Sequence, residues 1–344
     1  MRKQIRHIYS RVRNAMPAPV RGTMTKYSYI MSGKPNVKSD SIPVEKKFPN
    51  GEKGGLIISA DFEMAWAWRY TKTGNDHIAK GRIERENLPA IIRILEEYNI
   101  PITFATVGHL FLDRCKNGDH EWMRRLPYFD DHWKFTEGDW FDHDPHTSYI
   151  DSPEWYAPDL IKMIIDSKVE HEIATHTFSH IDFSYENCPV DVADDEIKAC
   201  IKAAKLFGIE LKSIVFPGGT WGNIEVLKKY NFTIYRKSEA FELAYPYRDE
   251  AGLLVSPSSG GLEYNLAYGW SAEYFVRRLK KYIQKAIDTN TIAHLWFHPS
   301  LDKYILKNVF PVFLSYASEA RDRGDLWIGT MNDIAVHINR NNIL

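Results

Sequence analysis

Short apolar runs alternate with amphipathic stretches from residue 54 to the end of the chain. An unbroken apolar run indicates a buried strand, whereas apolar residues spaced three or four apart indicate one face of a helix. Strands are predicted at residues 56–60, 102–108, 172–175, 213–219, 232–236, 253–257 and 291–298, and from residue 326. Helices are predicted at residues 84–98, 157–167, 192–207, 224–229, 272–287 and 309–323, and from residue 332.

This alternation favours a particular fold class. Strands that alternate with helices form parallel sheets, and seven or eight such units favour a closed or nearly closed barrel over an open sheet. We therefore predict an α/β chain in which residues 54–344 form a closed or nearly closed (β/α)7-8 barrel with mainly parallel strands. Residues 109–156 show neither periodicity and are interpreted as a long insertion.

The predicted insertion is rich in aromatic residues and histidines, including Trp122, Trp133, Trp140 and Trp155. We expect a loop held by hydrogen bonds, with metal binding by His143 and His146 as the alternative. Aromatic residues make up 13% of the chain, which suits a sugar-binding cleft as well as it suits an ordinary large core.

The first 53 residues differ in charge from the rest of the chain. Residues 1–50 contain eleven of the 44 basic residues but only two of the 45 acidic ones. A block of this kind predicts a basic, partly disordered arm, with peripheral contact to an acidic membrane surface or a partner as the alternative. The arm lacks the apolar core of a signal peptide, and no stretch of the chain approaches about 18 apolar residues. We therefore expect a cytoplasmic protein, with the inner face of the membrane as a site of contact.

The cysteine pattern argues against two kinds of site. Cys115, Cys188 and Cys200 are odd in number and show no CxxC spacing. The sequence therefore predicts neither a disulfide framework nor a cysteine zinc site. A reducing compartment fits this usage.

Chemically capable side chains follow several predicted strands. Asp61 and Glu63 follow the first strand, His176 and His180 the third, and His298 the penultimate one. Because the carboxyl ends of parallel strands meet at one face of a barrel, we expect these side chains to converge. The i, i+4 spacing predicts His176 and His180 on one face of a helical turn, where both imidazoles reach one cation. The alternative roles are structural: one histidine of the pair caps a turn and the other lies at the surface, Asp61 and Glu63 are solvated strand-end charges, and His298 closes a turn.

The ordered segments SADFE, ITFATVG, EIATHTFSH, VFPGG and HLWFHP resemble the polysaccharide deacetylase family with a NodB-homology domain, carbohydrate esterase family 4. The resemblance covers residues 54–337. It implies a distorted barrel that holds a divalent metal, usually Zn²⁺, through one acid and two histidines. It also implies hydrolysis of N-acetyl groups on sugars, and sometimes of O-acetyl or N-formyl groups.

Carried over by position, the resemblance implies metal ligation by His176 and His180, with Asp61 as the catalytic base and His298 as the general acid. The family commonly has two adjacent aspartates, whereas here Glu63 must supply the metal oxygen. Residues i and i+2 of a strand share a face, which makes this arrangement reasonable.

Two further family features have candidate equivalents. VFPGG lacks the arginine that usually precedes its proline and supports the base, and Arg236 is the candidate substitute. Backbone N–H groups near VFPGG or after Phe62 are candidates for stabilising an oxyanion.

The leading hypothesis is a metal-dependent hydrolase that removes an N-acetyl group from a sugar, and so acts on a carbon–nitrogen bond other than a peptide bond. The substrate would be a glycan, a lipid-linked precursor or a nucleotide-linked sugar, and we expect no nucleic-acid partner. One alternative is a deformylase or metal-free C–N hydrolase of the same fold. Another is a non-catalytic carbohydrate-binding relative.

Overall fold

The computed structural model describes residues 16–17, 19–24, 36–69, 76–123, 141–238, 241–263 and 270–344. The strands are β1 (Asn36–Lys38), β2 (Gly54–Phe62), β3 (Thr103–Thr106), β4 (Glu172–Thr175), β5 (Ser213–Val215), β6 (Ile234–Lys237), β7 (Glu242–Ala244), β8 (Tyr247–Arg248), β9 (Leu254–Pro257), β10 (Gly260–Gly261), β11 (Ile292–Phe297) and β12 (Leu326–Ile328). The helices after residue 40 are Val44–Lys47, His77–Glu97, Pro158–Ile165, Val190–Lys205, Ile224–Lys229, Ala272–Thr289, Lys303–Asn308, Phe310–Asp322 and Met331–Arg340.

Seven strands run parallel in the order β11-β2-β3-β4-β5-β6-β9. Strand β12 pairs with the first half of β2 and β3 pairs with its second half. The chain passes from β9 almost directly into β10, which pairs with β11, so the sheet curls back toward its other side. The predicted α/β class, with a distorted, mainly parallel barrel, is confirmed.

Local sequence signals account for where several elements begin and end. Every residue of β2 is buried, as its unbroken apolar run predicts. Helix Ala272–Thr289 begins after Ser271, whose hydroxyl accepts a hydrogen bond from the Tyr274 N–H. It ends at Asn290, which adopts a left-handed φ of 53°.

Part of the predicted arm packs onto the barrel. Strand β1 pairs with β7, and Phe48 is 1% exposed with its ring against those of Tyr245 and Trp327. Burial of this ring extends the folded body beyond the predicted boundary at residue 54. The other arm residues, 1–15, 18 and 25–35, lie outside the described part of the chain, as do residues 124–140 of the insertion, which include Trp133 and Trp140.

None of the helices in the described ranges combines the length and the apolar character needed to cross a bilayer. The parallel strands place the ends of β2, β4, β5, β6 and β11 at one face of the barrel. The candidate side chains lie at these strand ends.

Candidate active site

The Glu63 carboxylate lies at the centre of the site, directly after β2. Its Oε2 atom is 3.1 Å from Nε2 of His176 and 3.1 Å from Nε2 of His180. All three side chains are buried, and one ligand atom from each lies within 4.8 Å of the others. The structure thus brings the three predicted metal ligands together, while their role as ligands stays a prediction.

The two histidines do not lie on a helical turn, so that prediction was wrong. Residues 176–180 form a loop in which Thr177 and His180 adopt left-handed φ angles of 60° and 55°. The buried Glu196 carboxylate accepts hydrogen bonds from the backbone N–H groups of Phe178 and Ser179, at 2.7 and 2.9 Å. The loop therefore folds around a carboxylate, and this fold makes the two imidazoles converge.

The tautomer of His176 tests whether a cation fits. Its Nδ1 atom lies 2.7 Å from the carbonyl oxygen of Val215, which can only accept a hydrogen bond. Nδ1 therefore carries a hydrogen, and in the neutral form that metal ligation requires, Nε2 directs a lone pair at the Glu63 carboxylate. A divalent cation between these electron-rich atoms would remove their repulsion, and two imidazoles with one carboxylate form a known zinc donor set. The residues present therefore fit a divalent metal.

Asp61, the predicted base, is paired with Arg236. The guanidinium Nη1 and Nη2 atoms lie 2.6 and 2.7 Å from the two carboxylate oxygens, and Nη1 also donates to the Ser59 hydroxyl. Burial raises the pKa of Asp61, but the Arg236 charge outweighs burial and holds this pKa below its usual value. Arg236 thus lies where the sequence suggested a substitute for the missing arginine.

His298, the predicted general acid, lies between two carboxylates. Its Nε2 atom is 3.1 Å from Oε1 of Glu63, and its Nδ1 atom is 2.6 Å from Oε1 of Glu263. Burial lowers the pKa of His298, but Glu263 and Glu63 outweigh burial and raise it well above its usual value. The rings of Trp68 and Trp296 meet the imidazole edge-on, each at 5.6 Å. The two carboxylates therefore favour the protonated form of His298, with one ring nitrogen facing each of them.

Glu84 holds the backbone that carries Glu63. Its carboxylate oxygens accept hydrogen bonds from the N–H groups of Glu63 at 3.1 Å and Met64 at 3.0 Å. The N–H groups directly after Phe62 are thus occupied, which contradicts their predicted role as oxyanion donors. Burial and then the neighbouring Glu63 charge raise the pKa of Glu84 well above its usual value.

Sequence reasoning did not identify Glu84, Glu196 or Glu263. The first two carried a usable signal, because each is an acid on the apolar face of a helix. Glu84 lies four residues before Leu88, and Glu196 lies four residues before Cys200, with all four side chains buried. A buried acid needs a partner, and here the partners are backbone N–H groups of the loops that carry Glu63 and His176.

Residues 76–235 match the family model for polysaccharide deacetylases. The resemblance to the polysaccharide deacetylase family is therefore confirmed. The matched residues include His176 and His180 but not Asp61, Glu63 or His298, so the assignment of the last three depends on their geometry and on the sequence resemblance.

Solved structures agree with the fold of this family. The chain is 16% identical to a protein assigned as a polysaccharide deacetylase from Mycobacterium smegmatis, with a TM-score of 0.61 over 90% of this chain and 97% of that one. A protein of the same assignment from Pseudomonas aeruginosa is 14% identical, with a TM-score of 0.55 over 84% and 91% of the two chains. PuuE allantoinase is 13% identical, with a TM-score of 0.58 over 90% and 98%. No curated protein is significantly similar to the chain in sequence.

Proposed function

We propose that this chain is a metal-dependent hydrolase that removes an N-acetyl group from a sugar. The observation that carries the proposal is the shared Glu63 carboxylate, which contacts His176 and His180 through one oxygen and His298 through the other. One residue thereby joins a donor set for a metal to a protonated imidazole. Hydrolysis of an amide needs both functions at the same carbon–nitrogen bond.

Asp61 is the proposed base that takes a proton from the attacking water. Its pairing with Arg236 fixes the orientation of the carboxylate but also lowers its pKa, which weakens it as a base. A divalent cation held by Glu63, His176 and His180 would compensate for this by acidifying water and polarising the acyl carbonyl.

His298 is the proposed acid. As the carbon–nitrogen bond breaks, the amine nitrogen leaves with the bonding electron pair and takes the proton from the imidazole, so the products are acetate and a free amine. Glu263 holds Nδ1 at 2.6 Å, which fixes the ring and stabilises its positive charge. The proton is thus available at the atom that faces the reacting centre.

Exposed aromatic rings support a sugar as the substrate. Tyr185 and Trp221 are 53% and 45% exposed, their ring centroids lie 6.1 Å apart, and they occupy the loops that follow β4 and β5. Aromatic side chains commonly line the pockets in which proteins bind small molecules and cofactors. We propose a glycan, a lipid-linked precursor or a nucleotide-linked sugar as the substrate class. A cytoplasmic location stays a prediction. Membrane contact through the basic arm also stays a prediction, and vesicle binding by the chain with and without residues 1–35 would test it.

A substrate panel tests the proposed reaction. N-acetylated sugars in free, polymeric, nucleotide-linked and lipid-linked form are incubated with the protein, and acetate and free amine are measured. N-formyl sugars and allantoin serve as probes for the alternative hydrolases. We expect stoichiometric acetate and amine from at least one N-acetyl sugar, whereas turnover of formyl sugars or allantoin alone would contradict the proposal.

The Asp61→Asn variant tests the role of the base in the same panel. We expect turnover to fall by about two to four orders of magnitude, the usual contribution of a positioned base. Asp325→Asn is the matched control, because Asp325 pairs with Lys53 at the surface and should leave turnover unchanged. Equal turnover in the two variants would remove Asp61 from the mechanism.

A further inference from the structure

A second buried cluster of metal-binding side chains lies in the predicted insertion. His109 belongs to the 3-10 helix Gly108–Phe111, and Cys115, His120 and Asp144 follow in the insertion. Between 0% and 7% of each residue is exposed, and one ligand atom from each lies within 4.8 Å of the others. None of these four residues has a role in the proposed hydrolysis.

The spacing of these atoms suits tetrahedral coordination. Nε2 of His109 lies 3.2 Å from Nε2 of His120 and 3.2 Å from Oδ2 of Asp144. The Asp144 Oδ2 atom is 3.1 Å from the Cys115 Sγ atom and 3.8 Å from Nε2 of His120. Zinc bonds of about 2.0 to 2.3 Å give tetrahedral edges of about 3.3 to 3.8 Å, close to these separations.

We propose that His109, Cys115, His120 and Asp144 form a structural Zn²⁺ site. A thiolate, two imidazoles and a carboxylate match the preferences of zinc, whereas calcium and magnesium prefer oxygen alone. Four protein ligands leave no open position for water or substrate, which is the property of a structural site.

Neighbouring groups hold the Asp144 carboxylate in place. The Tyr156 hydroxyl donates to Oδ1 at 3.0 Å, and the His146 backbone N–H donates to the same oxygen at 3.1 Å. These bonds occupy Oδ1 and leave Oδ2 directed at the histidines and the thiol. Outer partners of this kind orient metal ligands in known sites.

The cluster is connected to the loop that carries His176 and His180, the two histidines proposed as metal ligands. The backbone N–H groups of Gly108 and His109 donate to the carbonyl oxygens of Thr177 and Phe178, at 2.8 and 3.0 Å. The His109 ring also lies 4.4 Å from that of Trp66, three residues after Glu63. A zinc ion here would therefore fix the insertion against both segments that supply the catalytic ligands.

The proposed site departs from one expectation from the sequence. Cysteine spacing argued against a cysteine zinc site, because that reasoning looks for paired cysteines. Here a single cysteine is completed by two histidines and an aspartate that lie up to 35 residues apart along the chain, from His109 to Asp144. They come together only in the folded chain.

Cobalt substitution of the full chain tests the proposal without requiring catalysis. The protein is loaded with Co²⁺, and its near-ultraviolet absorption is recorded for a thiolate-to-cobalt charge-transfer band. The Glu63, His176 and His180 set contains no sulfur, so a band can arise from the second cluster alone. We expect the band in the wild type and in Glu63→Ala, together with loss of the band in Cys115→Ser. Cys188→Ser is the matched control and should keep the band.

Zinc content provides an independent readout of the same site. We expect Cys115→Ser to lose about one Zn²⁺ per chain while Glu63→Ala retains this ion. Absence of the charge-transfer band from the wild type would overturn the proposal even if the Cys115 variant failed to fold. A band with no catalytic activity would reject the proposed function and leave the structural site standing, so the two proposals fail separately.

Discussion

The Glu63 carboxylate contacts three imidazoles, two through Oε2 and one through Oε1. Burial raises the pKa of Glu63, but its interactions with the neighbouring histidines, the charge of His298 foremost, outweigh burial and hold this pKa well below its usual value. Glu63 therefore stays ionised, and its two oxygens separate the metal-binding side of the site from the proton-donating side.

Replacement of His298 by alanine separates proton donation from binding. The amine released from an amide is a poor leaving group and needs a proton, whereas the alcohol released from an activated O-ester needs little proton donation. We expect His298→Ala to lower amide turnover by about two to four orders of magnitude and to affect the ester far less. Steady-state rates on the two substrates provide the measurement, and an equal loss on both would show that His298 only positions or binds the substrate.

The pH profile tests the contact between Glu263 and His298. Activity is lost at high pH as His298 gives up its proton. Because the pKa of His298 is raised, we expect the alkaline limb of amide turnover to lie above pH 6.5, the ordinary pKa of a histidine. Glu263→Gln removes one of the two charges that raise this pKa. We expect the alkaline limb to move to lower pH by about one unit or more. An unmoved limb in an active, folded variant would exclude Glu263 as a partner that tunes His298.

At the scale of elements, the apolar pattern predicted the strands and helices well because these depend on local sequence. The strand at residues 172–175 and the helix at residues 224–229 have the predicted bounds. The loop at residues 176–180 was predicted incorrectly because its conformation depends on Glu196, which lies on the following helix. The convergence of the site and the Arg236 partner of Asp61 were predicted, whereas the carboxylates of Glu84, Glu196 and Glu263, which hold the site, were not.

The start of β4 provides a test of stability that does not involve the site. Nδ1 of His171 accepts a hydrogen bond from the Ile102 N–H at 3.2 Å, and burial lowers the pKa of His171 from 6.5 to about 4. The protonated ring would direct a hydrogen at this N–H. Because the folded-state pKa is below the unfolded value, this stabilisation is present above pH 6.5 and is lost as the pH falls toward about 4.

The His171→Asn variant keeps an acceptor near Ile102 but cannot titrate. Between pH 7 and pH 5, the free energy of unfolding should fall by about 2 kcal/mol more in the wild type than in the variant. Denaturant titration at the two pH values gives the comparison. Parallel losses in the two proteins would show that His171 is not the titrating group.

At the scale of the whole molecule, the barrel class could be predicted but its ends could not. Strands β1, β7, β8 and β10 have three residues or fewer, and their pairing depends on how the sheet curls. The burial of Phe48 and the pairing of β1 likewise need the completed barrel as a partner. Short segments of this kind carry too little periodicity to be recognised in the sequence.

The central claim is that Glu63, His176 and His180 hold a divalent metal, and metal content measures it most directly. Wild type, Glu63→Ala and the control Glu86→Ala, whose carboxylate pairs with Lys303 at the surface, are dialysed against metal-free buffer and analysed for bound metal. The difference between proteins is decisive, because the second cluster contributes equally to all three. We predict that Glu63→Ala holds about one ion per chain less than the wild type and that Glu86→Ala shows no loss. The same metal content in wild type and Glu63→Ala would contradict the account.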